Sequence, residues 1–431
     1  MIAPAKLPLL EWESDTAHEA RLNPGDRVLI EDFGRGSKLL VDELASGVRV
    51  SARQWVGVVR LSELEVTISP RFVTTPEELV ELVEFATGID ALTRNRGQWS
   101  LAPSGNNLFD LIATLFLEAV ERILRGGLRL DYVEKVEELG VLRGRLELSD
   151  QLTRNFGRVD RLICRFDDQE TDVVENQVLR AALQECARYV TNPRIARHAR
   201  ALFAVFAEVC EPPEMDLGDA RANIEYNRLN QHYRPAHELA WLIFEGLGVS
   251  DLLMAGRTSS FAFLLDMNVL FERFIWRLLE SWVRGTQLRV HYQLPNSSVI
   301  RDSSGGYYAG IRPDVLLSSA DRLGRVAIDA KYKGYSSDRI SVADLSQAFL
   351  YAYAYSIGAP LALIAYPAPS EVPVVTRLQI RQADGLTAAQ IVAVGININA
   401  ALAQARGLTR GLIGDTVLGL IGTSLAGLRA A

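Results

Sequence analysis

The period of apolar and polar positions changes character twice along the chain. From about Leu7 to Phe72 it is the two-residue period of strands, in short runs at Arg27–Glu31, Ser37–Leu44, Val48–Ala52, Val56–Leu61 and Leu64–Ser69. This predicts a small β-rich module. Pro76 then opens a helix with Glu77 and Glu78 in its first turn, and apolar residues recur at helical spacing from Leu108 to Leu124 until Gly126 and Gly127 stop them. A mixed stretch follows, with strands expected at Leu128–Val133, Val141–Leu148 and Arg161–Phe166 and helices at Asp172–Val190, Arg194–Val209 and Ala236–Gly246. The polar run Asn223–Arg234, with three asparagines and two tyrosines, fits neither period.

From Ser260 onward the pattern predicts an α/β succession. It reads as a helix (Phe261–Val283), a strand (Gln287–Gln293), a glycine and serine loop (Asn296–Gly306), strands at Ile311–Ser318 and Arg325–Tyr332, and a helix (Val342–Ser356). Strands at Pro360–Tyr366 and Val374–Ile380 and a helix near Thr387–Arg406 complete it. The expected architecture is therefore α/β and multidomain. Its segments are a β-rich module at 1–75, a mixed helical and β region at 76–255, an α/β domain at 256–408 and an extension at 409–431.

Composition sharpens this. With 431 residues, 48% apolar and 23% charged, the chain can bury more than one core. Its 53 acidic residues exceed its 46 basic ones, so the net charge of −7 argues against a protein that coats nucleic acid by charge alone. Six arginines between Arg143 and Arg165 reverse that sign locally, which suits either a solvated surface or a face for phosphate or a partner. Cys164, Cys186 and Cys210 are odd in number and lack metal-ligand spacing, which fits a reducing cytoplasm. Neither a signal peptide nor a membrane span is expected.

Only five residues are lysines, and Lys331 and Lys333 lie together in one short segment. Ile311–Leu317 and Arg325–Lys333 read as the two arms of a hairpin around Asp321–Gly324. Pairing Ser318 with Arg325 sets Asp314 opposite Asp329, with Cβ atoms roughly 5 Å apart on one face. Alternation puts Lys331 on that same face. Two carboxylates so placed repel unless a divalent cation or a shared proton offsets the charge. Carboxylate oxygens suit Mg²⁺, or Mn²⁺ in its place, and the lysine can orient a water or stabilise developing negative charge. The competing reading is an ordinary Asp329–Lys331 ion pair beside a turn at Pro313–Asp314. The two arms, their register and the scarcity of lysine together favour a phosphodiester-hydrolysis site.

Glu272 shares a helical stripe with Leu265, Val269, Trp276 and Leu279, an odd place for a charge. It suits either a metal site or a surface ion pair with Arg273 or Arg277. Gln347 and Tyr351 lie on one helix face, as a plain polar pair or, beside the hairpin, as contacts to a phosphate or base. Lys333 belongs with them as a substrate contact.

These residues resemble those of the PD-(D/E)xK nuclease superfamily, with Pro313-Asp314, Asp329-Ala-Lys331 and the QxxxY element Gln347 to Tyr351. More closely, Met267-Asn-Val-Leu-Phe-Glu272, Arg312-Pro-Asp314, Ile328-Asp-Ala-Lys-Tyr-Lys333, Leu142-Arg-Gly-Arg145 and Glu175-Asn176 resemble the McrC family, nuclease subunits of modification-dependent restriction systems. The resemblance runs through about Tyr366. It implies that 256–408 is a restriction-endonuclease-like domain, that Asp314, Asp329 and Lys331 are catalytic, and that Glu272 contributes to the metal site. It implies too that the N-terminal portion docks on a hexameric McrB-like AAA+ GTPase, stimulates it and receives double-stranded DNA from it, with dimerisation of the nuclease domain or of whole complexes as a further expectation.

The chain has no GxxxxGK[ST], and Gly34-Arg-Gly-Ser-Lys38 lacks the spacing to cradle phosphates, so a nucleotide-driven motor is expected to be another chain. Two alternatives remain at this stage: a non-cleaving activator of an AAA+ partner, and an autonomous RecB-like nuclease.

Overall fold

The computed structural model describes residues 4–35, 38–88, 108–158, 160–213, 215–247, 261–319, 325–335, 339–356, 360–407 and 411–427. The hairpin connection at Asp321–Gly324 lies outside them. The chain gathers into two compact units, one of residues 1–96 with 264–431, the other of 97–263. The expected segments 1–75 and 256–408 thus fall almost wholly in the first unit, and most of 76–255 in the second.

The first unit begins with β1 (Ala5–Leu10), β2 (Ser14–His18), α1 (Pro24–Arg35), β3 (Leu39–Leu44), β4 (Gly47–Ala52), β5 (Trp55–Arg60), β6 (Leu64–Ser69) and α2 (Pro76–Thr87). β1 pairs in parallel with β6, which forms a hairpin with β5, while β2, β4 and β3 make a separate antiparallel sheet. The strand expected at Arg27–Glu31 is instead the middle of α1. Asn23 and Asp26 cap it reciprocally, Asn23 Oδ1 accepting from Asp26 N at 2.8 Å and Asp26 Oδ2 from Asn23 N at 3.0 Å. That Asn-Pro-x-Asp start is a helix signal, which the short β-like run Val28–Ile30 obscures. α2 follows its expected start, with Thr75 and Glu78 forming a capping box and Gly88 ending it at φ 74°.

The second unit holds α3 (Leu108–Gly126), β7 (Asp131–Leu139), β8 (Arg145–Leu146), α4 (Leu148–Arg154), β9 (Leu162–Glu170), α5 (Val174–Tyr189), α6 (Pro193–Val209), α7 (Leu217–Asn223) and α8 (Arg234–Leu247). Four of the six clustered arginines make ion pairs: Arg143 with Asp168, Arg158 with Asp160, Arg161 with Glu138, and Arg165 with Glu134 and Glu147. These exposed pairs are those of a solvated surface.

The uninterpretable run 223–234 becomes one side of a buried polar network. Glu175 Oε1 lies 2.8 Å from Arg129 Nε and accepts from Asn230 Nδ2 at 2.9 Å, and Tyr233 Oη donates to Asn176 Oδ1 at 2.9 Å. His237 Nε2 faces the Glu175 carbonyl at 2.9 Å and so must donate, which leaves Nδ1 to accept from Tyr226 Oη at 3.0 Å.

The chain returns to the first unit through β10 (Phe261–Asp266) and α9 (Met267–Trp282), where one helix was expected; Asp266 caps α9 by accepting from Asn268 N. Next come β11 (Leu288–Tyr292), β12 (Asn296–Arg301), β13 (Tyr307–Ile311), β14 (Val315–Ser319), β15 (Arg325–Ala330) and α10 (Val342–Tyr355). β16 (Leu361–Pro367), β17 (Val374–Arg381), β18 (Thr387–Ile396), α11 (Ile398–Ala405) and α12 (Leu412–Gly427) follow. The expected loop Asn296–Gly306 is half of a β12–β13 hairpin, turned by Asp302, which accepts from the backbone of Ser304 and Gly306.

The expected helix Thr387–Arg406 is β18 followed by α11. β18 is an interior strand, between β16 and β17, of a six-stranded sheet of order β11-β14-β15-β16-β18-β17. A strand buried on both faces shows a continuous apolar run that periodicity cannot separate from a helix. α10 covers one face of this sheet through Ala348, Ala352 and Tyr355 against Leu316, Ala327 and Ile391. On the opposite side, Ile275, Leu279 and Val417 of α9 and α12 approach Ile328, Leu363 and Val394. Among the described residues no helix is long and apolar enough to cross a membrane.

Burial holds the His237 imidazole down at about 4. Between about pH 6.5 and 4 the unfolded chain therefore binds a proton that the folded chain refuses, so stability is full above that window and falls as pH drops through it. Urea unfolding at pH 7 and pH 5 should show wild type losing more stability than His237→Asn across the interval.

Candidate active site

Strand geometry assembles the site. The ladder pairs Ser318 with Arg325, Leu317 with Val326, Leu316 with Ala327 and Val315 with Ile328. Asp314 is the next residue beyond this ladder and Asp329 its counterpart, on the side of Leu316 and Ala327 that α10 covers. Asp314 has left the strand itself, and its Oδ2 accepts from Ala330 N at 2.7 Å. This bond draws the carboxylate across the end of β15, within hydrogen-bonding reach of Asp329.

Asp329 is 1% exposed. Burial, followed by the neighbouring Asp314 charge, pushes its carboxyl up to about 7 against the pull of Lys331. Burial and the charge of Glu272 raise Asp314 to about 6, opposed by the Ala330 N–H and Lys331. Two buried carboxyls raised together in this way share a proton or call for a cation. Lys331 Nζ lies 3.2 Å from Asp329 Oδ1 and 3.0 Å from Oδ2, and Oδ2 accepts no hydrogen bond of acceptable geometry. Burial works against the Lys331 ammonium, but Asp329 and Asp314 hold its pKa above the ordinary value.

A relay ties the lysine to the other carboxylate's loop. Lys331 Nζ donates to Gln347 Oε1 at 2.9 Å, Gln347 Nε2 to Tyr351 Oη at 3.0 Å, and Tyr351 Oη to the Arg312 carbonyl at 3.0 Å. Arg312 is two residues from Asp314, so α10 braces both sides of the pair. The Gln347–Tyr351 pair thus faces the hairpin rather than standing alone on the helix surface.

Glu272, on α9, accepts from Gln293 Nε2 at 3.1 Å, and Gln293 N donates to the Asp314 carbonyl at 2.9 Å. Burial raises the Glu272 pKa, against the Gln293 hydrogen bond. Among the described residues no three His, Cys, Asp or Glu side chains form a ready-made metal cluster, while Glu272 lies close enough to Asp314, Asp329 and Lys331 for their charges to act on one another. Lys333 turns to Asp344, at 3.1 and 3.0 Å from its two carboxylate oxygens, with Ser341 Oγ on the same carboxylate at 2.6 Å.

Gln293 escaped the sequence reading. Its φ of 45° is left-handed, unusual for a residue with a side chain, and no local pattern announces it. Glu11 and Tyr332 escaped as well. Their partnership spans most of the chain, and only the apolar company around Glu11 hinted at it.

The donor set fits a hard divalent cation. It offers two carboxylates under mutual repulsion and one buried oxygen without a hydrogen bond, the hard oxygen donors such a cation prefers.

A family model described as McrBC 5-methylcytosine restriction system component matches residues 50–367. The Type IV methyl-directed restriction enzyme EcoKMcrBC of Escherichia coli (strain K12) is 20% identical over 239 residues, 53% of this chain and 65% of that protein. The chain thus spans less than two thirds of that relative's length. The refined half-complex from a tetradecameric assembly of Thermococcus gammatolerans McrB AAA+ hexamers with bound McrC contains a chain of similar fold, with TM-score 0.55 and 19% identity, covering 94% of this chain and 99% of that one.

Asp314→Asn removes one charge of the repelling pair and keeps an acceptor for Ala330 N. Because the folded carboxyls titrate above their unfolded value of about 3.8, the contribution of this pair to wild-type stability is full below that value and is lost as pH rises through about 6 to 7. Without divalent cations, the variant should therefore melt at or above the wild-type temperature at pH 8, with the difference shrinking toward pH 5.

Proposed function

The chain belongs to the family of McrBC 5-methylcytosine restriction system components, and from that premise we propose that it is the DNA-cutting subunit, a Mg²⁺-dependent endonuclease acting on double-stranded DNA. The observation that carries this reading is the convergence of Asp314, Asp329 and Lys331 at the end of β15, braced by Gln347 and Tyr351. The β14–β15 hairpin, the crossover through α10 and the parallel partner β16 support a PD-(D/E)xK assignment for this part of the first unit.

Asp314 and Asp329 would hold the cation, with Mn²⁺ able to replace Mg²⁺. When bound, the cation supplies Lewis acidity toward a phosphodiester and an attacking water. The chain's own residues do the rest. Lys331, held charged between Asp329 and Gln347, places positive charge where the phosphate accumulates negative charge. Ala330 N–H fixes the direction of Asp314, and Tyr351 fixes the Arg312 loop that carries it. Lys333, half-exposed beside this strand end, remains available to a DNA phosphate despite its bond to Asp344.

The motor would be a separate hexameric AAA+ GTPase; the assembly that contains the chain of similar fold is built of AAA+ hexamers. Val141, Leu142, Leu148, Leu152 and Phe156 stand exposed within one stretch of the second unit, which supports docking through that unit. Such a partner also accounts for the acidic balance, since it supplies DNA affinity that a chain of net charge −7 lacks.

In a complex with its AAA+ partner and Mg²⁺, Asp329→Asn and Lys331→Ala should each lower DNA cleavage by at least about 10²-fold, while assembly and partner GTP hydrolysis stay intact. Retained cutting in both variants would overturn the nuclease reading. Mg²⁺ should raise the melting temperature of wild type but not of Asp314→Asn, a readout independent of activity.

A further inference from the structure

We infer that Glu11 and Tyr332 form a strut through which the N-terminal β-module positions Lys331, which makes Glu11 a positioning residue for cleavage. This rests on the nuclease reading of the site. Glu11 follows β1 and is fully buried. Its backbone N–H donates to the Ser69 carbonyl at 3.1 Å, and its Oε2 accepts from Arg71 N at 2.8 Å, so the module holds both its main chain and its side chain. The same Oε2 accepts from Tyr332 Oη at 3.1 Å.

Tyr332 is also fully buried, edge-on to Phe72 with ring centroids 5.3 Å apart and 5.7 Å from the ring of Phe271 on α9. It lies between Lys331 and Lys333 at the point where the sheet stops guiding the chain. The β15–β16 ladder ends at Ala330 with Ala365, and Lys331 N makes the last bond to that strand, reaching the Ala365 carbonyl at 2.8 Å. Beyond it the backbone turns, with Lys333 N donating to the Lys331 carbonyl at 2.8 Å. The backbone from which the lysine departs is therefore anchored by what holds Tyr332, two aromatic contacts and its hydroxyl's hydrogen bonding to the module, while Asp329 and Gln347 hold the ammonium itself.

A buried carboxyl is an expensive anchor. Burial pushes Glu11 up to about 7, and its Oε1 has no hydrogen-bond partner among the described residues. Packing alone would be served by an apolar residue at this position. What a carboxylate or amide oxygen adds is a fixed acceptor for the tyrosine hydroxyl.

The test uses the full chain with its AAA+ partner and Mg²⁺, measuring single-turnover cleavage, DNA affinity and the ¹³Cε resonance of Lys331. That resonance is one of five in a lysine-labelled sample. Tyr332→Phe keeps the ring packing and should slow cleavage about tenfold or more, leave DNA affinity within about twofold and shift the Lys331 signal. Glu11→Ala should do the same, Glu11→Gln should retain most of the rate because its amide oxygen still accepts both bonds, and the Glu11→Ala/Tyr332→Phe double variant should be no slower than the slower single one. Should Glu11→Ala fail to fold, Tyr332→Phe decides. Wild-type cleavage by Tyr332→Phe alongside an inactive Asp314→Asn would overturn the strut and leave the nuclease reading standing. If the wild-type chain cuts nothing, the nuclease reading falls, and an unmoved Lys331 resonance in Tyr332→Phe would overturn the strut separately.

Discussion

Two aspartates, held side by side out of water at the end of a central strand, repel each other, and the first unit is organised around holding them there. Left to relax, Asp314 and Asp329 would separate or one would turn outward. Both are prevented by structure of high local stability: an antiparallel ladder in strict register behind them, the Ala330 N–H across the strand end, and helices on both faces of the sheet. Burial and the neighbouring charges accordingly raise both carboxyls. A site that is uncomfortable alone is one that gains on binding a cation.

The other polar groups around the pair extend the same constraint outward. Lys331 offsets part of the charge, and its own position depends on Gln347 and Tyr351 on one side and on Tyr332 on the other. Gln293 ties Glu272 to the Asp314 backbone from a third direction. These contacts come from α10, from the N-terminal β-module and from the segment after β11, so the geometry of the site depends on the tertiary packing of the whole unit. The acidic balance of the chain then has a local meaning, since several of its acids are gathered and buried around one lysine.

The second unit treats buried polarity in the opposite way. Around Glu175 opposite charge and hydrogen bonds meet: arginine and asparagine beside the carboxylate, tyrosine on asparagine, and a neutral histidine between a carbonyl and a hydroxyl. A connected network of this kind favours one arrangement of helices. Asn223–Arg234 fitted neither helix nor strand for this reason, because its polar side chains answer partners far away in the chain and carry no period.

The placement of the site residues was legible in the sequence because strand alternation is local. Once Ser318 pairs with Arg325, a period of two places Asp314, Asp329 and Lys331 on one face, and the helix over residues 342–355 follows from its own 3.6-residue spacing. Local pattern failed where burial on both faces erased periodicity, as in β18, and where a short cap competed with a β-like run, as in α1. It could not tell that Glu272 meets Gln293, that Lys333 turns to Asp344, or that Glu11 meets Tyr332 across 321 positions. Those outcomes belong to the tertiary structure alone, because hydrogen bonds and desolvation between distant segments depend on distances that exist only once the layers have packed.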